Sequence, residues 1–513
     1  MTLLFLVVDS FKDIKMIRIT DQFIENCFKY PNNNALFINE KYFTYSELLN
    51  LTFSILLDLK KENNIDSKIA IYCSDDIETY SSILAVSILG ACYVPINSRN
   101  PIQHSLEIIE SAGIRTILHS NKIDIPQELT NYNLQAVFLE TRNCSFSKQD
   151  LFATIHQENA YLLHTSGSTG KPKGVNIKHI QVEAFFDFFT EENGFHFSEK
   201  DRFIQPFELT FDVSVFCLFM PLNLGACCYV VPQNGLKFLE TIRLLKDHSI
   251  TVSTFVPTIL NHIDKYLNEL QLPSLKYSFF IGDKLSHNLT CKWKKSITNA
   301  KIFNFYGPTE ATIMCSYYKW EEYISQIESV NDVVPIGKLF PNLEFKIINE
   351  EKIAQSQEIG ELYIYGNQVI TSYNNQTNLE SFKKIEEGIT YYKTGDLVHL
   401  NKKGNLIYHS RVDRQVKING YRIEINEIEA CIRRKINHPF CVTTFKNKNQ
   451  LNELVLFIEN KGEGEDLMSF LKQELPSYMI PQTVINIKNI PYNSNQKIDF
   501  KKLNEIYLLN QSI

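Results

Sequence analysis

The residues best equipped for chemistry begin at His164-Thr-Ser-Gly-Ser-Thr-Gly-Lys-Pro-Lys-Gly-Val175, directly after the strand-like run Ala160-Tyr-Leu-Leu163. Glycines Gly167 and Gly170 let backbone amides approach an anion, the hydroxyls of Thr165, Ser166, Ser168 and Thr169 donate to phosphate oxygens, and Lys171 and Lys173 supply charge. Such a loop would cradle a polyphosphate. It is not a Walker A loop: Pro172 follows Lys171 where the metal-binding hydroxyl belongs, and Thr165 stands where the first glycine belongs, so a P-loop NTPase is excluded. Further along, Asn304-Phe-Tyr-Gly-Pro-Thr-Glu310 ends in a carboxylate that can reach a cation, after a turn in which Pro308 fixes one backbone angle and Gly307 permits an unusual one. Asp396 closes Tyr392-Lys-Thr-Gly-Asp396, which by itself reads as a common Thr-Gly-Asp turn. Asp212 stands among Phe211, Val213, Val215 and Phe216; a carboxylate facing an apolar pocket needs a cationic partner to offset its desolvation, or else it caps a helix beginning near Val213.

The elements that must position these groups follow from patterning. Between about residues 17 and 260, apolar runs such as Ile69-Ala-Ile-Tyr-Cys73 alternate with helical stretches such as Glu78 to Leu89, which signals α/β layering with parallel strands. Gly90 stops that helix and a buried strand follows, giving a βαβ crossover. Around Tyr363, Tyr392 and Tyr408 the pattern shifts to short β-rich pieces separated by turns, which suggests a small barrel-like subdomain. After Arg411 a charged segment leads into alternating helix and strand, so we expect a boundary between a large domain of layered parallel sheets, residues 1–410, and a small α+β domain, residues 411–513.

Composition narrows the function classes. A length of 513 residues calls for more than one domain, and 44% hydrophobic with 21% charged residues gives ample core material. A net charge of -6 provides no basic field for nucleic acid. The 11 cysteines contain no Cys-x-x-Cys pair, which argues against zinc or a disulfide framework. No stretch approaches the roughly 20 apolar residues of a membrane helix, and the opening run before Asp9 reads as non-targeting, so we expect a cytoplasmic protein with no membrane partner. Residues 1–15, ahead of a second methionine at Met16, read as an extension or an extra strand.

Taken in order, the motifs resemble those of the adenylate-forming superfamily, which includes acyl-CoA synthetases, luciferases and amino-acid adenylation domains; the likeness spans residues 17–510 and is nearest to stand-alone amino-acid carrier-protein ligases. The resemblance implies ATP and Mg²⁺, with phosphates in the loop from Thr165 to Lys173, adenine against Tyr306 and Tyr408 within the Asn304 to Thr309 motif, ribose on Asp396, and magnesium by Glu310. Arg411 and Lys417 would reach ribose and phosphate, Asp413 would be the interdomain hinge, and Gly420 would let a pantetheine arm pass. Lys497 matches the catalytic lysine beside the α-phosphate, although Gln496 and Phe500 replace the glycine and arginine usual around it. Asp212 would pair with a substrate α-ammonium, and Val213, Phe216, Thr254, Phe279, Ile281, Phe305, Ile313 and Met314 would surround the side chain. That uncharged lining implies a neutral amino acid of alanine, proline or valine type. With only 16 residues after Lys497, the acceptor thiol is expected in trans, on the phosphopantetheine of a carrier protein or, alternatively, on free coenzyme A as in an acyl- or aryl-CoA ligase.

Overall fold

A computed structural model describes residues 18–511 apart from 62–65, 138–146, 152–156, 168–171, 234–235, 356, 375–378, 387, 449, 460–463 and 494–497. Among the described residues, a nine-stranded sheet runs in the order Lys338–Leu339, Ser316–Trp320, Lys301–Tyr306, Tyr277–Phe280, Val252–Phe255, Arg202–Gln205, Cys227–Val230, Asn34–Ile38 and Lys41–Thr44. Its interior, from Lys301–Tyr306 to Asn34–Ile38, is parallel, and antiparallel strands close both edges. A second sheet orders Asn133–Val137, Thr116–Ser120, Lys68–Cys73, Cys92–Asn97, Asn159–Thr165 and Lys173–Lys178, parallel except for the last pair.

The interior helices explain why these strands are apolar on both faces. Helix Ile77–Leu89 begins where the Asp76 carboxylate accepts the Thr79 amide at 2.9 Å, and it ends at Gly90 with φ +87°. Every residue of that helix is buried, the expected fate of a helix that is apolar all round. Helix Val213–Leu224 is buried from Val213 to Leu222, and it too ends at a left-handed glycine, Gly225 with φ +80°. One core cluster unites both helices with inward residues of both sheets, including Ile69, Ile71, Phe203 and Phe279.

The β-rich region expected around Tyr363 and Tyr392 is an antiparallel half-barrel sheet of Leu343–Asn349, Gly360–Gly366, Ile389–Leu400, Phe382–Glu386 and Leu406–Arg411, with Lys352–Ile353 at one edge. Beyond it come a hairpin, Gln415–Ile418 with Tyr421–Glu424, and a sheet of Phe440–Lys446, Asn452–Glu459 and Thr483–Ile487 flanked by helices Ile425–Arg433, Gly464–Glu474 and Phe500–Asn510. This region packs around its own core clusters, drawn from residues such as Ile428, Leu456, Leu471 and Phe457. Among the described residues ten cysteines are free thiols, and all but the half-buried Cys291 are buried. Among the described residues no helix is long and apolar enough to cross a membrane.

Candidate functional site

A cavity of about 480 Å³ opens where parallel strands end at their carboxyl termini, the usual ligand position in open α/β sheets. Arg202–Gln205 delivers Phe207 and Glu208 to its wall, Val252–Phe255 delivers Val256, Tyr277–Phe280 delivers Ile281 and Gly282, and Lys301–Tyr306 delivers Gly307 and Thr309. From the second sheet, Asn159–Thr165 brings Thr165 and Ser166. The hairpin residues Asn419, Gly420, Tyr421 and Arg422 cover the opening.

Asp212 lies in the wall at the head of helix Val213–Leu224, buried, and its side chain makes no capping hydrogen bond. Burial pushes its carboxyl up to about 6, against the opposing pull of Thr309 and the Val213 amide. No ion pair to Asp212 forms among the described residues. Asp212 meets the adjacent Val213 amide, but its side chain forms no capping hydrogen bond to a later amide of the helix.

Glu310 is also buried, with Tyr373 donating to Oε1 at 2.9 Å and Arg422 Nη1 donating to Oε2 at 2.8 Å. Burial would raise this carboxyl, but the Arg422 charge and the hydrogen bonds outweigh it and hold the group below its ordinary range. Gly307 cannot carry a side chain, because a Cβ would lie 2.5 Å from the Ile313 carbonyl oxygen. Asn304 braces the same turn, donating to the Pro335 carbonyl at 2.9 Å. Asp396 accepts from Tyr306 Oη at 2.6 Å and from Arg411 Nη1 at 2.7 Å, while Arg411 also grips Asp413 through Nε at 2.7 Å and Nη2 at 2.8 Å. Lys417 lines the cavity with its ammonium 5.9 Å from the Tyr306 ring centre, and burial lowers its pKa. Lys284 sits 5.1 Å from the Tyr408 ring, and Lys173 sits 5.7 Å from the Tyr373 ring.

The phosphate-type loop meets the tail region directly. Ser166 Oγ donates to the Arg422 carbonyl at 2.9 Å, and the Gly167 amide donates to Glu427 Oε2 at 3.2 Å. Burial pushes the Glu427 carboxyl up to about 8. The Thr165 hydroxyl is buried with no hydrogen-bond partner among the described residues. A carboxyl group thus rests on a loop amide suited to an anion, and a guanidinium rests on Glu310.

Residues 23–374 match the family model described as AMP-binding enzyme. The chain belongs to that family. This AMP-binding enzyme falls in the adenylate-forming superfamily that its motifs resemble. It is 31% identical over 499 residues to gramicidin S synthase 1 of Brevibacillus brevis, covering 94% of this chain and 44% of that relative. Identity is 30% over 501 residues to zwittermicin A synthase ZmaJ of Bacillus cereus, covering 94% of this chain and 93% of the relative. Its fold matches the solved Vibrio cholerae adenylation domain AlmE, in complex with glycyl-adenosine-5'-phosphate, with a TM-score of 0.85 and 26% identity over 98% of this chain and 100% of that one.

Of the residues expected from sequence, the AMP-binding fold brings Thr165, Ser166, Asp212, Val213, Ile281, Gly307, Thr309, Asp396, Arg411 and Lys417 to one cavity wall. Gly167, Glu310, Tyr306 and Asp413 stand directly behind that wall, each bonded to or packed against a lining residue or its neighbour. Phe216, Thr254, Phe279, Phe305, Ile313 and Met314 lie in the core beside Asp212 rather than on the wall. Ser168, Thr169, Gly170, Lys171 and Lys497 lie outside the described residues. Sequence reasoning missed Arg422, Tyr373 and Glu427 as site residues. Arg422 sits inside a charged segment, but its partner Glu310 is 112 positions away, a pairing that no spacing rule predicts.

Proposed function

We propose that this enzyme activates a small neutral amino acid as its aminoacyl-adenylate and then passes the acyl group to a phosphopantetheine thiol. The observation that carries the substrate class is Asp212, a buried carboxylate on the cavity wall with no ion pair among the described residues. Such a group is stabilised by the cation an α-ammonium supplies, and a fatty or aromatic acid offers none. The glycyl-adenosine-5'-phosphate named with AlmE supports an aminoacyl-adenylate in a pocket of this fold.

In this reading ATP lays its phosphates along Thr165 to Lys173, its base between Tyr306 and Tyr408, and its ribose on Asp396, helped by Arg411. The unpartnered Thr165 hydroxyl and the Gly167 amide are donors suited to phosphate oxygens. A substrate carboxylate oxygen attacks the α-phosphorus, a new P–O bond forms, and the bond to the β-phosphate bridge breaks to release pyrophosphate. Lys497 neutralises charge as it builds at phosphorus. Among the described residues no group of three or more His, Cys, Asp or Glu side chains is placed to hold a metal ion. A lone buried carboxylate such as Glu310 instead fits a magnesium ion whose other ligands are phosphate and water. Magnesium would supply charge neutralisation on the departing phosphates.

The second step needs a different arrangement of residues 411–513, pivoting at Asp413. With Arg422 on Glu310 and Glu427 on the Gly167 amide, the tail region occupies the partners that nucleotide phosphates require. The docked hairpin therefore fits the stage after pyrophosphate has left. The cavity continues past Gly282 and Gly420, where a Cβ on Gly282 would lie 3.8 Å from the Gly420 Cα, to Thr258 and His262. Two facing glycines leave a narrow passage suited to a pantetheine arm. The thiol attacks the carbonyl carbon, the thioester forms, and AMP departs. We favour a carrier protein over free coenzyme A as the source of that thiol, because aminoacyl thioesters held on carriers match the amino-acid reading.

The test is ATP–pyrophosphate exchange across a panel of amino, fatty and benzoic acids. Amino acids should support exchange and the other acids should not, and Asp212→Ala should abolish it. Exchange with benzoic or fatty acids that survives Asp212→Ala would replace this reading with that of an acyl- or aryl-CoA ligase.

A further inference from the structure

The cavity reaches Asp212 but stops there. Its wall includes Val213 and Ile281, while Phe216, Thr254, Phe279, Phe305, Ile313 and Met314 lie just beyond it, none more than 2% exposed. By the resemblance that pairs Asp212 with an α-ammonium, these are the positions that would surround the substrate side chain. Phe216 follows Asp212 by one helical turn, and Phe279 and Phe305 project from strands whose ends form the cavity floor. The space between them is filled by rings. Phe279 and Phe305 meet edge to face at 5.2 Å between centroids, and Phe216 lies 6.1 Å from Phe279. Phe189 reaches in from a neighbouring segment to contact all three rings, at 4.9 Å from Phe216, 5.9 Å from Phe305 and 6.4 Å from Phe279. Phe195 closes the far side, 5.9 Å from Phe279.

From this packing we infer that the acid is glycine, an inference that rests on the amino-acid reading above. Protein interiors are as close-packed as organic crystals, so a ring cluster in mutual contact leaves no volume for another side chain. Nor can the rings swing aside cheaply. Phe279 is anchored in a strand paired on both sides, opposite Thr254 on one neighbour and Phe303 on the other, and admitting an isopropyl group would mean overpacking a filled core. A hydrogen at the α-carbon is accommodated, a methyl group is marginal, and the proline and valine expected from the uncharged lining are excluded. Lack of charge in the lining set polarity, but ring contacts set size.

The experiment measures ATP–pyrophosphate exchange with glycine, both alanine enantiomers, valine and phenylalanine, using the full chain and Phe279→Ala and Phe216→Ala variants. Wild-type protein should use glycine best, with kcat/KM for valine and phenylalanine lower by at least about 100-fold, the discrimination that steric exclusion from an apolar pocket supplies. Each variant should lose glycine activity and gain valine activity by at least about tenfold as the cavity deepens. Milder Phe305→Leu and Phe216→Leu changes serve if the alanine variants unfold on thermal melting. Binding of glycyl- and valyl-sulfamoyl adenosine, followed by calorimetry, gives a readout free of turnover and should show the same order. Wild-type exchange with valine or phenylalanine at a rate equal to glycine would overturn the inference while leaving amino-acid activation intact, as would folded variants that gain nothing. If no amino acid supports exchange but another acid does, the amino-acid reading fails and this inference falls with it.

Discussion

Replacing Gly420 by alanine should separate the two half-reactions. Gly420 has φ +86° at the tip of the covering hairpin, and a Cβ there would lie 2.6 Å from Val256 Cγ2 and 3.2 Å from Cγ1. A left-handed backbone costs alanine about 1 kcal/mol, and forcing a methyl group against a packed valine adds about 1–3 kcal/mol, particularly as Val256 is stiff at χ1. The docked arrangement should thus lose about 2–4 kcal/mol, which is roughly 30- to 700-fold in population at 1.4 kcal/mol per factor of ten. Adenylate formation uses the undocked arrangement in our account, so exchange should stay within about threefold of wild type. Single-turnover transfer from preformed adenylate to pantetheine or a holo-carrier, followed by rapid quench, should fall by one to three orders of magnitude. An equal loss in both assays would show that Gly420 does not serve the docked state selectively. An unchanged transfer rate would refute the link between docking and thiol attack.

Three further outcomes follow. Arg422→Ala removes the guanidinium that occupies Glu310, so half-maximal exchange should need less Mg²⁺, whereas an unchanged or higher requirement would count against competition for that carboxylate. Because burial holds the free Asp212 carboxyl at about 6, it is protonated below that pH and cannot pair with an ammonium; kcat/KM for the amino acid should drop about tenfold per pH unit below 6 and level off above. A flat profile down to pH 5 would contradict that assignment. Lys497→Ala should slow adenylate formation at least about 100-fold with little change in transfer from preformed adenylate, and a normal rate of adenylate formation would remove the lysine from its proposed role.

Local signals made much of this molecule readable. Gly90 and the apolar runs on either side of it specify a helix end and a buried strand through backbone preference alone, and the structure has both. Dense glycine and hydroxyl usage after Leu163 marked one half of the site, and Asp212 stood out as a lone charge among apolar neighbours. What could not be read depends on distance in the fold. Arg422 and Glu310 meet only because the tail hairpin covers the sheet ends, and Tyr373 reaches the same carboxylate from another segment. Pocket depth was equally hidden: the positions carried by the resemblance implied an uncharged side chain, but Phe189, which packs against three of their rings, belongs to none of the motifs.

The central claim concerns which phosphorus is attacked, and nucleotide products report it directly. Incubating the enzyme with ATP, Mg²⁺ and glycine, quenching, and separating the nucleotides should yield pyrophosphate equal to the sum of AMP and glycyl-AMP, with glycyl-AMP detectable by mass spectrometry when no thiol is added. Formation of ADP and inorganic phosphate instead would place the attack at the γ-phosphorus and contradict the account.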